Sequence, residues 1–89
     1  MAIESGKYIS KELSDYIYQW VDQTEIKALA DEHNISYETG RAISSRIRKV
    51  TDKNKDLIID IVKRAIRNRN RKWPQLEKAH YQILEDIHA

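Results

Sequence analysis

The side chains best suited to bind a partner are basic, and they lie together in the middle of the chain. Residues 41–72 contain twelve Lys and Arg against three Asp, a net charge of +9. Residues 1–40 have a net charge of −5, from three Lys and eight acidic residues, and residues 73–89 a net charge of −2. A guanidinium carries five N–H donors and a permanent charge, so this block favours phosphate binding with release of counterions. The alternative is a solvated, salt-bridged surface without a partner.

Catalytic and metal-binding patterns are not found in the sequence. His33, His80 and His88 are the only histidines, and none stands in an H-E-x-x-H arrangement. His80 and His88 could share a helix face, but a surface or dimer contact is the stronger interpretation. The chain has no cysteine and only two glycines, too few for a thiolate site or a glycine-rich phosphate loop. We therefore expect no enzyme activity, no cofactor, no metal and no small-molecule substrate.

Apolar residues recur at intervals of three and four, the spacing of one face of a helix. No run of Val, Ile or Thr alternates with polar residues as a half-buried strand does. We expect one all-α domain of about five helices over residues 1–89, with a core at 8–72 and an amphipathic helix at 73–89. The first helix should run from Ser10 to about Val21, and the second should begin at the Asp22 and Glu25 capping pair or at Thr24. The third should run from Tyr37 to Lys49. The fourth should begin at Thr51 or Asn54, and the fifth should follow Trp73-Pro74.

The stretch from Glu25 to Ile47 predicts two short helices that meet at a tight turn. In the first, Ile26, Leu29 and Ala30 share one face. Asn34 tolerates a left-handed backbone and Ser36 is a good N-cap, so the turn lies between the helices. In the second helix the expected inward face is Ile43, Ile47 and Val50.

Residues 30–43 (ADEHNISYETGRAI) resemble the A-x-x-x-G-[VI]-S-x-x-T-[VI]-x-x-[VI] core of small phage and bacterial helix-turn-helix regulators. The family usually has Val or Ile where this chain has Gly40, so either a neighbour packs closely there or the helix is locally soft. The resemblance implies a small transcriptional regulator, phage-encoded or from a mobile element, that binds double-stranded DNA. The matching positions are Ala30 (small residue), Asn34 (turn glycine), Ile35 (buried residue), Ser36 (cap) and Ile43 (last core position).

In that family the N-terminal part of the second helix enters the major groove. Arg41 would pair with guanine, Glu38 would accept from cytosine N4, and Ala42 would contact a thymine methyl. Each of these residues could instead be exposed without a partner. Hydroxyls suited to phosphates or base edges are Ser36, Tyr37, Thr39 and Ser45, and the expected backbone contacts are Arg46, Arg48, Lys49, Arg64, Arg67, Arg69 and Arg71.

The last two helices are predicted from apolar stripes. The fourth should bury Leu57, Ile58, Ile61, Val62, Ala65 and Ile66. The fifth, with Leu76, Ala79, His80, Ile83, Leu84 and Ile87 on one face, either folds back or pairs with a second copy, and a homodimer is the favoured use.

Two other partners remain open. The acidic first 40 residues could bind another protein, as a phage-encoded inhibitor of a host nucleic-acid enzyme would. The arginine-rich segment 63–72 could bind RNA. No apolar run approaches the length of a signal peptide or a membrane helix, so we expect a soluble, cytoplasmic protein without a membrane partner.

Overall fold

The computed structural model describes the backbone of residues 3–88 and the side chains of residues 3–72 and 74. This part of the chain is all-helical and contains no strand. Its four helices are α1 (Lys11–Trp20), α2 (Gln23–Glu32), α3 (Tyr37–Ser44) and α4 (Lys55–His88). The all-α prediction is confirmed.

The expected break at Trp73-Pro74 is wrong, because α4 continues through Pro74. Proline removes one hydrogen bond, the one to the carbonyl four residues earlier, and a helix can bend around that loss. Residues 73–88 therefore extend the fourth helix, and the described chain has four helices where five were expected. No helix among the described residues has both the length and the apolar character needed to cross a membrane.

Local side-chain bonds set the starts of the first three helices. The Ser10 hydroxyl accepts the Leu13 amide at 3.2 Å, and α1 begins. Asp22 and Glu25 form the expected capping box of α2, in which the Asp22 carboxylate accepts the Glu25 amide at 2.8 Å. Thr24, the competing cap, is not used.

The turn between α2 and α3 also follows the prediction. Asn34 is left-handed, with φ of 56°, and the Ile35 amide donates to the Ala30 carbonyl at 2.9 Å. The Ser36 hydroxyl accepts the Thr39 amide at 3.2 Å and starts α3. The turn brings α2 and α3 into contact along their lengths.

The core lies between these three helices and the first half of α4. It contains Leu13 and Ile17 of α1, Ile26 of α2 and Ile43 of α3. Each is buried because its helix presents its apolar side to α4, whose inner stripe is fully buried: Leu57, Ile58, Ile61 and Ala65.

Three apolar residues of the predicted core stripes are not fully buried. Ile66 is 45% exposed and Val62 only partly buried, because α1 and α2 cover just one side of α4. Ile47 is 61% exposed because it lies beyond the end of α3.

Gly40 is buried where α3 crosses α2 and α4. A Cβ built there would lie 3.4 Å from Ile26 Cγ2 and 3.5 Å from Leu57 Cδ2. Of the two explanations for glycine at this position, the close approach of neighbouring side chains is therefore correct.

Candidate nucleic-acid interface

One side of α3 carries part of the predicted binding set: Ser45 is exposed, Arg41 is partly exposed, and Tyr37 is partly buried and packs against the core. Tyr37, Arg41 and Ser45 are spaced by one helical turn and line a groove of about 770 Å³ between α1 and α3, here called the α1–α3 groove. Ser14 and Tyr18 of α1 line its other wall. Tyr18 is 90% exposed, which makes it the most exposed large apolar side chain of the described chain.

The Arg41 guanidinium is the most available donor on α3. It lies 3.3 Å from the Glu38 carboxylate, and the two side chains are 43% and 73% exposed. An exposed pair of this kind contributes about 0–1 kcal/mol, so either partner can exchange it for a ligand at little cost. Arg41 and Glu38 are thus both accessible, as predicted, and they also pair with each other.

Ser36 and Thr39 are tied to each other at the start of α3. Their hydroxyl oxygens are 2.9 Å apart, and Ser36 also caps the helix. The Ser36 hydroxyl therefore has a structural role whether or not it meets a ligand.

Ala42 does not belong to the exposed set. It is 5% exposed, because α3 packs against α1, α2 and α4 and these contacts cover most of its circumference. The predicted contact between Ala42 and a thymine methyl is therefore wrong.

The predicted extension of α3 to Lys49 is also wrong. The helix ends at Ser44, Ser45 is its C-cap, and Arg46 is left-handed with φ of 61°. Residues 45–49 form a loop, here called the basic loop, which Val50 ends by returning to the core. The Val50 amide donates to the Lys7 carbonyl at 2.8 Å, so the loop is anchored to the N-terminal segment.

The basic side chains of this loop differ in the contacts they make within the protein. Arg46 donates from Nε to the Ile9 carbonyl at 2.8 Å and thereby holds the loop against the start of α1. Arg48 is exposed, and Lys49 lies with its ammonium 5.8 Å from the centre of the Tyr8 ring. Arg48 and Lys49 are consequently better placed than Arg46 to meet a phosphate.

The basic side chains of α4 also fall into two groups, those held by contacts within the fold and those that are exposed. Arg64 lies 3.4 Å from the Glu25 carboxylate, which also accepts from Asn68 Nδ2 at 2.9 Å. Asn68 donates to the Trp20 carbonyl at 2.8 Å as well, so this cluster fastens α4 to the junction of α1 and α2. Arg67 and Arg71 are exposed, and Arg69 is half-buried with an interaction of its own.

Lys72 and Ser44, which are outside the predicted set, also lie at the groove. Lys72 and Arg41 both line the groove, so the basic end of α4 reaches the same groove as α3. Ser44 lies on its wall with its carbonyl accepting from the Ser14 hydroxyl at 2.7 Å, while its own Oγ is buried without a partner. The spacing from Arg41 to Ser44 and Ser45 was visible in the sequence, but the proximity of Lys72 depends on how α4 packs.

No metal site is formed by the described side chains, which hold no cluster of three His, Asp or Glu. His33 instead bonds through Nε2 to the Asp60 carboxylate at 2.6 Å and joins the end of α2 to α4. His80 and His88 lie outside the described side chains, as do Leu76 to Ile87 of the predicted dimer face. No family model, curated protein or solved structure matches this chain.

Proposed function

We propose that this protein binds double-stranded DNA in a sequence-specific manner, as a small transcriptional regulator acting in the cytoplasm. In this proposal α2, the turn at 33–36 and α3 act as a helix-turn-helix unit, as the resemblance of residues 30–43 implies. The first two turns of α3 enter the major groove, and the basic loop and α4 hold the phosphate backbone.

The observation that carries the proposal is the exposed pair of Glu38 in the first turn and Arg41 in the last turn of a short helix that leads directly into the basic loop. Arg41 can form two parallel hydrogen bonds to O6 and N7 of guanine, and Glu38 can accept from N4 of cytosine. Tyr37 and Ser45 share the face of Arg41 and contribute hydroxyls to base edges or phosphates.

The phosphate contacts are assigned to basic side chains that no short bond to another described residue restrains. Arg48 and Lys49 follow α3 directly, while Arg67 and Arg71 are exposed on α4. Arg64 and Arg46 are given positioning roles, because Glu25 and the Ile9 carbonyl hold them. This division also weakens the RNA alternative, since segment 63–72 offers fewer unengaged bases than its sequence indicates.

The test separates base reading from backbone binding. Duplexes selected from a random pool provide a target, and fluorescence anisotropy gives the Kd for that target and for a scrambled duplex. We expect Arg41→Ala to weaken the selected duplex about 10- to 100-fold, the equivalent of one bidentate base contact, and the scrambled duplex far less. The matched control Arg48→Ala should weaken both duplexes to the same extent.

Equal losses on both duplexes for Arg41→Ala would contradict its base-reading role. No binding to any duplex at low salt would reject DNA as the partner and favour a protein partner for the acidic α1 and α2. Tighter binding to structured RNA than to every selected duplex would favour RNA.

A further inference from the structure

The outer side of α4 carries a second apolar stripe, of whose described residues only Val62 packs against the core. Ile59 is half-buried and Ile66, one heptad later, is 45% exposed, on the side opposite Leu57 and Ile61. Val62 lies between them and is only partly covered. A half-buried and an exposed isoleucine one heptad apart on a helix indicate a contact surface rather than a solvated face.

The sequence continues this stripe at strict heptad spacing along the rest of α4. Positions 59, 62, 66, 69, 73, 76, 80, 83 and 87 alternate in steps of three and four, and seven of these nine are apolar. A period of 3.5 residues sustained over four heptads is the pattern of a coiled-coil seam. The helix itself is unbroken over the same positions.

A helix of this length after a proline needs packing to persist. The part that follows Pro74 has fourteen residues, 75–88. In proteins most helical stability comes from packing of an apolar face, and proline removes a hydrogen bond at the junction. A second helix along the seam supplies the missing burial.

We propose that the occupant of this seam is a second copy of the chain, bound antiparallel. Residues 63–72 carry six bases and no acid, whereas residues 73–88 carry three acids and one Lys. A parallel pair would set the +6 segments against each other. An antiparallel pair centred near residue 71 instead sets residues 73–88, with a net charge of −2, against residues 54–69 of the other copy, with a net charge of +3. The proposal does not depend on DNA binding and holds if the nucleic-acid assignment fails.

The antiparallel register has a definite centre. When the two antiparallel helices are centred near residue 71, each seam position of one copy lies opposite a seam position of the other. Position 66 then lies opposite position 76 of the second copy. In a parallel pair position 66 would lie opposite its own equivalent. The two orientations therefore differ in which residues come within reach of each other.

The first experiment measures mass by sedimentation equilibrium over a concentration series. We expect a dimer for the unmodified protein and at least a ~100-fold higher dissociation constant for Ile66→Glu, because a carboxylate would be buried in an apolar seam. Ile47→Glu is the matched control, an isoleucine at least as exposed but in the basic loop, and it should leave the dimer intact. Circular dichroism checks that both variants stay helical.

A monomer for the unmodified protein, or an unchanged dimer for Ile66→Glu, would overturn the seam. The second experiment uses the absence of native cysteine. Mixed Ile66→Cys and Leu76→Cys chains should crosslink on mild oxidation, and Ile66→Cys alone should not. Crosslinking of Ile66→Cys with itself would overturn the antiparallel orientation.

Discussion

At the scale of single residues, the most informative position is Gly40. Its missing side chain allows α3 to lie close to Ile26 and Leu57. A mid-helix glycine costs about 1 kcal/mol relative to alanine, so close packing and helix propensity oppose each other here. Which effect is larger depends on how far a side chain would extend beyond Cβ.

We expect Gly40→Ala to raise the free energy of unfolding by about 0.5–1 kcal/mol, because its Cβ would meet its neighbours at ordinary contact distances and the helix gains propensity. Gly40→Val should lower it by about 1–3 kcal/mol, since its γ-methyl groups extend beyond that space. Urea unfolding followed by circular dichroism measures both. Destabilisation by Gly40→Ala would show that α3 lies closer to its neighbours than these distances allow.

At the scale of elements, the position of α4 depends on a polar cluster as well as on its apolar stripe. Asn68 bonds to Glu25 and to the Trp20 carbonyl, where the chain passes from α1 to α2. Because α4 must be held for Lys72 to line the same groove as Arg41, this cluster links the fold to the candidate interface.

Asn68→Ala should lower the free energy of unfolding by about 1–3 kcal/mol, because the Trp20 carbonyl and one side of Glu25 would lose their donor. Asn70→Ala is the matched control, an exposed asparagine on the same helix, and it should change stability by less than about 0.5 kcal/mol. Thermal and urea unfolding of the two variants make the comparison. Similar losses for both would indicate that helix propensity, not the cluster, determines the change.

At the scale of the whole molecule, charge is distributed unevenly, with an acidic first half before a basic middle. Several acids of that half are engaged within the fold: Asp22 caps α2 and Glu25 binds α4. The hydrogen bond and charge of Lys7, 2.9 Å away, lower the pKa of the Glu4 carboxyl, while Glu4 raises the pKa of Lys7. The exposed basic side chains of the basic loop and α4 can therefore attract a polyanion through their positive charge.

This distribution of charge predicts which basic side chains contribute to the salt dependence of DNA binding. Arg67→Ala should reduce the slope of log K against log salt by about 0.9, the value of one phosphate contact, for all duplexes alike. Arg64→Ala should change the slope less, because Glu25 already holds its guanidinium. Titrations of one duplex at several salt concentrations give both slopes. An equal reduction of the slope for the two variants would contradict the different roles given to Arg64, which positions α4, and Arg67, which contacts a phosphate.

The sequence by itself determined the features that depend on neighbouring residues. Ser10, the Asp22 and Glu25 pair, Asn34 and Ser36 act within three or four residues, so their caps and turn could be predicted without knowing the fold. The exposed Arg41 and Glu38 follow from helical phase close to such a cap.

Only the tertiary structure decided the features that depend on packing between helices. The end of α3 at Ser44, the burial of Ala42 and the exposure of Ile47 arise where three helices meet α3 and the chain then leaves for the N-terminal segment. Arg64 was indistinguishable from Arg67 in the sequence, and Glu25 of a distant helix separates them. Helical periodicity names an apolar face, but which part of that face is covered depends on contacts between residues far apart in the chain.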